Sequence, residues 1–304
     1  MKTKRGGDRM NRLRLGIAAL AILCCFAPAR PACATGRAEC ASVHSTILGR
    51  DVAYCAILPP SYDVQPARRF PVLYFLHGLG ENEQILISSG GLSVIEEMWE
   101  QKQIGEFLIV TPAAGSSFYV NSRDGRTRYE DFMVREFLPY IEKRYRVRGG
   151  RASRGISGVS MGGYGALHLA FRHPELFGSV ATHSAALIEK LPANAGEDPM
   201  IGRVLERPFG TPPDPAYWDR ESPITMARTA NLAGLAIYFD CGAQDDLGLD
   251  AGNRALDRVL TARHIAHEFH LYPGGHNWDY FAAHLPASLE FESRALGAAG
   301  AGAR

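Results

Sequence analysis

Short apolar runs bounded by turn residues recur along the chain and alternate with segments of helical spacing. Residues 72–76 are such a run, and 107–110, 155–159, 178–181, 235–239 and 267–271 read as further strands. Hydrophobicity that is continuous rather than alternating predicts strands covered on both faces. Between them, 92–103, 129–145, 161–172, 253–262 and 281–296 carry apolar residues at helical spacing. In the 129–145 segment, Phe132, Phe137, Leu138 and Ile141 mark an inner face, and Pro139 predicts a kink. Upstream, 43–48 and 52–58, joined through Gly49-Arg50, predict a hairpin, and Pro59-Pro60-Ser61-Tyr62 a loop. Residues 186–230 hold no strand signal and many Pro, Gly and acidic positions, which predicts a lid or a substrate-facing excursion. Residues 297–304 read as a tail. The alternation predicts one α/β domain with a mostly parallel central sheet and helices on both faces.

Composition changes this picture at one end. The 304 residues carry a formal net charge of +1, but the first 34 hold seven of the 33 basic side chains and one of the 32 acidic ones, which leaves the remainder at −5. No basic excess remains to suit nucleic acid. The start combines Lys2, Lys4, Arg5, Arg9, Arg12 and Arg14 with an apolar run over 15–26, then Ala32-Cys33-Ala34. That run is too short to span a bilayer as a helix. The pattern predicts a secretory signal, residues 1–34, cleaved near Ala34, with export to the periplasm or medium, no stable membrane anchor, and a single domain over 35–304. Met10 is an alternative start, and an uncleaved anchor the alternative fate. Three of six cysteines fall in that segment; Cys40 and Cys55 are expected to face each other across the hairpin, and Cys241 to be a buried thiol. No CxxC or HExxH spacing occurs, so neither a metal nor a cofactor is expected.

Gly158-Val159-Ser160-Met161-Gly162 is a GxSxG sequence between a strand end and a helix start. The turn needs glycines because Ser160 must take a strained backbone angle to push its hydroxyl outward, where bulkier neighbours would collide. A serine needs a base. Among ten histidines, His276 in Pro273-Gly274-Gly275-His276-Asn277-Trp278 follows a strand at the carboxyl end of the sheet, where open α/β sheets gather their sites. His77 is read as shaping a turn and His183 as lining the pocket. His264, His267 and His270 do not share a face, and a metal role is not expected for them. Asp245 and Asp246 both follow the 235–239 strand; Asp245 is preferred as the acid that orients His276, and Asp246 stays open. The backbone N–H groups of Leu79 and Met161 are the expected oxyanion donors. Tyr119 and Trp278 are placed at the substrate pocket.

Leu73-Tyr74-Phe75-Leu76-His77-Gly78-Leu79-Gly80, Gly158 through Leu167, and Gly274-Gly275-His276-Asn277-Trp278 together resemble the esterase D-like family of α/β-hydrolases. That family includes S-formylglutathione hydrolases, feruloyl esterases and mycolyltransferases, and the likeness runs from about residue 43 to 296. Gly115-Ser116-Ser117-Phe118-Tyr119 and Tyr129-Glu130-Asp131-Phe132 resemble mycolyltransferase segments. Cys241-Gly242-Ala243-Gln244-Asp245 is similar to the acid-bearing loop of secreted esterases in this group, where mycolyltransferases carry glutamate. The resemblance implies a serine esterase acting on a small-molecule or polysaccharide-linked ester. Its alternatives are an acyltransferase that passes the acyl group to a sugar or lipid alcohol and a non-catalytic binding protein on the same scaffold.

Overall fold

The structure, a computed structural model, describes residues 1–2, 35–191, 195 and 199–298. Residues 3–34 of the expected signal segment, the tail beyond 298 and part of the strand-free excursion lie outside the described residues. Every element below belongs to the unit Ala34–Arg304.

Eight strands form one sheet: β1 (Arg37–Ser45), β2 (Arg50–Leu58), β3 (Val72–Leu76), β4 (Leu108–Pro112), β5 (Arg154–Val159), β6 (Ser179–His183), β7 (Ala236–Gly242) and β8 (Glu268–Tyr272). Their order is β1-β2-β4-β3-β5-β6-β7-β8. The β1–β2 and β2–β4 pairs are antiparallel, and every pair from β4 through β3 to β8 is parallel. The expected α/β class with a mostly parallel sheet is therefore observed. The hairpin is longer than its apolar pattern: β1 begins at Arg37, and Ile47 and Leu48 fall in the turn. Cys40 and Cys55 are register partners and form a disulfide.

The helices are α1 (Ile85–Ser88), α2 (Gly91–Glu100), α3 (Tyr129–Phe132), α4 (Leu138–Arg144), α5 (Met161–Arg172), α6 (Pro199–Phe209), α7 (Pro215–Glu221), α8 (Pro223–Met226), α9 (Leu249–Ala262) and α10 (Trp278–Ala295). Two cores flank the sheet. On one side Ile95, Met98 and Trp99 of α2 meet Phe281, Leu285 and Leu289 of α10 beneath Leu73 and Phe75. On the other, Tyr164 and Leu167 of α5, Phe132 of α3 and Leu256 of α9 pack with Tyr74, Ile156 and Phe239. The kink expected at Pro139 takes the form of a π-helical stretch, Met133–Phe137, between α3 and α4. Proline has no N–H for the usual ladder bond, and a widened turn accommodates the gap. The strand-free excursion holds α6, α7 and α8, whose Phe209, Trp218 and Ile224 are buried in the second core. Among the described residues, no helix is long and apolar enough to cross a membrane.

Candidate active site

Ser160 joins β5 to α5 with φ 54° and ψ −119°. The glycines around it are sterically required. A Cβ on Gly162 would sit 1.9 Å from the carbonyl oxygen of Leu76, and one on Gly158 would sit 2.5 Å from the Gly162 backbone. The turn is pinned by Ser160 N–H donating to His183 O (3.0 Å) and by Ala186 N–H donating to Ser160 O (3.0 Å).

His276 and Asp245 reach the same point from neighbouring strand ends. The loops after β7 and β8 are joined by Gln244 N–H donating to Gly274 O (3.0 Å) and Gly274 N–H donating to Gln244 Oε1 (2.9 Å). Gly242 lies so close to Gly274 that a Cβ there would sit 2.4 Å from its carbonyl oxygen. His276 Nδ1 lies 2.8 Å from Asp245 Oδ2, and its Nε2 lies 2.9 Å from Ser160 Oγ. With the Nδ1 proton donated to the carboxylate, Nε2 accepts from the serine hydroxyl. Phe281 supports the imidazole edge-on, with centroids 5.3 Å apart.

The Asp245 side chain is fully buried. Burial pushes its carboxyl up, but the hydrogen bond to His276, the charge of that ring and the amides of Leu247 and Leu249 outweigh it, and the carboxyl stays below its usual range. Asp246 is exposed, and among the described residues it makes no hydrogen bond to the ring. Cys241 is a buried thiol, as expected; burial pushes it up to about 12, and its Sγ lies 3.7 Å from Asp245 Oδ2.

Leu79 is 41% exposed in the turn after β3, and Met161 is the first residue of α5. Among the described residues the Leu79 amide donates to no protein acceptor. The first N–H groups of a helix, Met161 included, have no acceptor within it. A Cβ on Gly78 would lie 3.5 Å from Ser160 Cβ, so this turn runs against the serine. His77 shapes the turn: its Nδ1–H donates to Gly78 O (2.7 Å) and its Nε2 accepts from Ala114 N–H (2.9 Å). Burial holds its imidazole below the usual histidine range, which suits the accepting role.

Two pocket expectations are corrected. Tyr119 is fully buried, donates to His77 O (3.0 Å) and packs on Tyr129; it braces the turn from inside. Gly165 permits this, since a Cβ there would meet the Tyr119 ring at 2.4 Å. His183 also lies in the interior, between Asp240 Oδ2 and Ser288 Oγ, each at 2.8 Å. Its Thr-His-Ser setting reads as a loop, but β6 extends through it and turns the ring under the sheet. Trp278 is part-exposed two residues beyond His276 and donates to Glu81 Oε1 (2.5 Å).

Sequence reasoning passed over Glu81, whose partners are a backbone amide and a distant indole. It also passed over a buried polar cluster between α3, α5 and α7. There His168 Nε2 and His173 Nε2 lie 3.0 and 2.9 Å from the two Glu130 oxygens, and Arg172 donates to Glu221. Glu130, His168 and Glu221 have ligand-type atoms within 4.8 Å of one another, and the Arg172 guanidinium already supplies the positive charge they face.

Residues 45–291 match the protein family described as "Putative esterase". The chain is 27% identical over 260 residues to an esterase of Mycobacterium tuberculosis, covering 77% of this chain and 54% of that protein. It therefore spans about half the length of that relative. It is 25% identical over 266 residues to an acetyl esterase of Caldicellulosiruptor saccharolyticus, covering 83% and 96% of the two. Among solved structures, a ferulic acid esterase superposes with a TM-score of 0.75 at 29% identity, covering 86% of this chain and 99% of the other.

Proposed function

The chain belongs to this esterase family, and on that premise we propose that it hydrolyses carboxylic esters through an acyl-enzyme on Ser160. The observation that carries the proposal is the unbroken hydrogen-bonded line from Asp245 through His276 to Ser160 Oγ. Ser160 Oγ attacks the acyl carbon while its proton passes to His276 Nε2. The tetrahedral intermediate collapses, the ester C–O bond breaks, and Nε2 returns the proton to the departing alcohol. Water then attacks the acyl-enzyme, again giving a proton to His276, and the acid leaves as Ser160 is restored. Asp245 stays ionised, holds the ring and balances the imidazolium. The Leu79 and Met161 amides are assigned to the oxyanion. The chemistry calls for no cofactor.

The named relatives act, by name, on acetyl and ferulic acid esters. They support short acyl or phenolic acyl groups on small-molecule or polysaccharide alcohols as the substrate class here, with part-exposed Trp278 as one pocket wall. Export is proposed with this activity: the basic and apolar start supports it, as does a disulfide of the kind oxidising compartments sustain.

A fluorophosphonate probe tests the reading. It is expected to label the wild type and not Ser160→Ala, and turnover of graded acyl and feruloyl esters should vanish in that variant. Absence of labelling in folded wild-type protein overturns the proposal in favour of a binding role. Added alcohol acceptors should leave acid release undiminished; an accumulating new ester with falling acid would mark an acyltransferase instead.

A further inference from the structure

Glu81 lies in the turn after β3 and belongs to none of the catalytic roles assigned above. Its part-buried carboxylate accepts from two directions. Oε2 takes the N–H of Gly78 at 2.7 Å, and Oε1 takes the indole N–H of Trp278 at 2.5 Å. Gly78 precedes the assigned oxyanion donor Leu79. Trp278 begins α10 immediately after its N-cap Asn277, and His276 is the residue before that cap. Trp278 also packs on Phe281 at 5.7 Å, and Phe281 packs on the His276 ring.

One side chain thus spans two segments 197 positions apart, one carrying an oxyanion donor and the other the base. We propose that Glu81 is a positioning residue that locks the oxyanion turn to the histidine loop, an inference that rests on the esterase reading above. The bond to Gly78 removes that amide from competition for the substrate oxygen, while the Leu79 N–H donates to no protein acceptor among the described residues. The bond to Trp278 holds the start of α10, and with it the imidazole, at a fixed distance from that donor. Both bonds are made before substrate arrives, so the site is set in advance of charge development.

Such a strut acts on the transition state more than on substrate binding. Small displacements of aligned groups cost up to about a hundredfold in rate. Glu81→Ala is therefore expected to lower kcat roughly 10–100-fold while KM for a short acyl ester moves less than about threefold. Affinity for a trifluoromethyl ketone, whose serine adduct places an oxyanion in the hole, should fall by the same factor as kcat/KM. Glu81→Gln keeps the size of the side chain but puts a donor where an acceptor is needed. It should lose most of the same activity with an unchanged thermal midpoint, which separates positioning from folding. Trp278→Phe should give a smaller loss, and its combination with Glu81→Ala should be no worse than Glu81→Ala alone. Wild-type kcat and ketone affinity in Glu81→Gln and Glu81→Ala would overturn the proposal. A wild type that neither turns over esters nor takes the fluorophosphonate would overturn the esterase reading, and the role of Glu81 with it.

Discussion

Ser160 sits at φ 54°, a backbone region that costs a non-glycine residue about 1–3 kcal/mol and persists only where the surroundings enforce it. The surroundings here are the Gly158 and Gly162 contacts and the two bonds to His183 and Ala186. At this scale the adjacent aspartates give a sharp comparison. Asp245→Asn keeps the loop but removes the charge facing Nδ1, and it should lower kcat by about 10³–10⁴, as loss of a buried orienting aspartate does in serine hydrolases. Asp246→Asn, on the exposed side of the same loop, should leave kcat within about twofold. Steady-state rates on one ester check both, and equal losses would reassign the acid. The convergence of Ser160, His276 and Asp245 is legible because the residue types proposed for nucleophile, base and acid are few, and each follows a strand. Tyr119 and His183 misled because aromatic and imidazole rings near strand ends are as much at home under a sheet as at its mouth. Glu81 left no signal, since a backbone amide and an indole far along the chain leave no spacing to read.

At the scale of elements, the strand–turn–helix around Ser160 depends on backbone packing closer than any side chain allows. Gly162→Ala would drive a methyl within 1.9 Å of Leu76 O, which lies in the strand leading to the turn that carries Leu79. The variant should lose both thermal stability and ester turnover, the second more than the first, because β3 and α5 must part to admit it. Thermal unfolding read alongside activity checks this; a fully active, stable variant would show that the turn tolerates separation. Of the parallel strands, β3 is readable from a continuous apolar run, whereas β8 carries Glu268 and His270 and stays part-exposed at the sheet edge. The helices of the excursion were not readable, because their prolines read as loop. In α7 and α8 proline instead occupies the first turn, where its missing N–H costs nothing, and Asp214 caps α7 by accepting from Ala216 and Tyr217 N–H. The π-helical stretch was foreshadowed by Pro139 alone, which marks a fault without specifying its geometry.

Across the whole molecule, the sheet separates two cores, and α10 carries a carboxylic acid, Glu292, into one of them. Glu292 is fully buried, accepts from Ser179 Oγ, and leaves Oε1 without a partner among the described residues. Burial pushes its carboxyl up to about 8. In the unfolded chain a glutamate ionises near pH ~4.3, so between there and about 8 the folded state holds the extra proton. Stability from this group is complete below the ordinary glutamate range and declines as pH rises, by about 1.4 kcal/mol per pH unit at most, until it levels off above about 8. Glu292→Gln, which still accepts from Ser179, should remove that decline. Denaturant midpoints at pH 5 and pH 8 should therefore lie closer together in the variant than in the wild type, and an unchanged gap would show that Glu292 is already charged when folded.

The hydroxyl, the carboxylate and the imidazole belong to the ends of β5, β7 and β8, and the last of these strands is the outermost of its side and starts at residue 268. On the proposed esterase reading, a nascent polypeptide lacks the hydrogen-bonded line that ends on Ser160 Oγ until the segment carrying His276 has docked. Regained ester turnover during renaturation is consequently expected to report the closing of that line, and a truncation upstream of β8, which removes His276, is expected to be inactive.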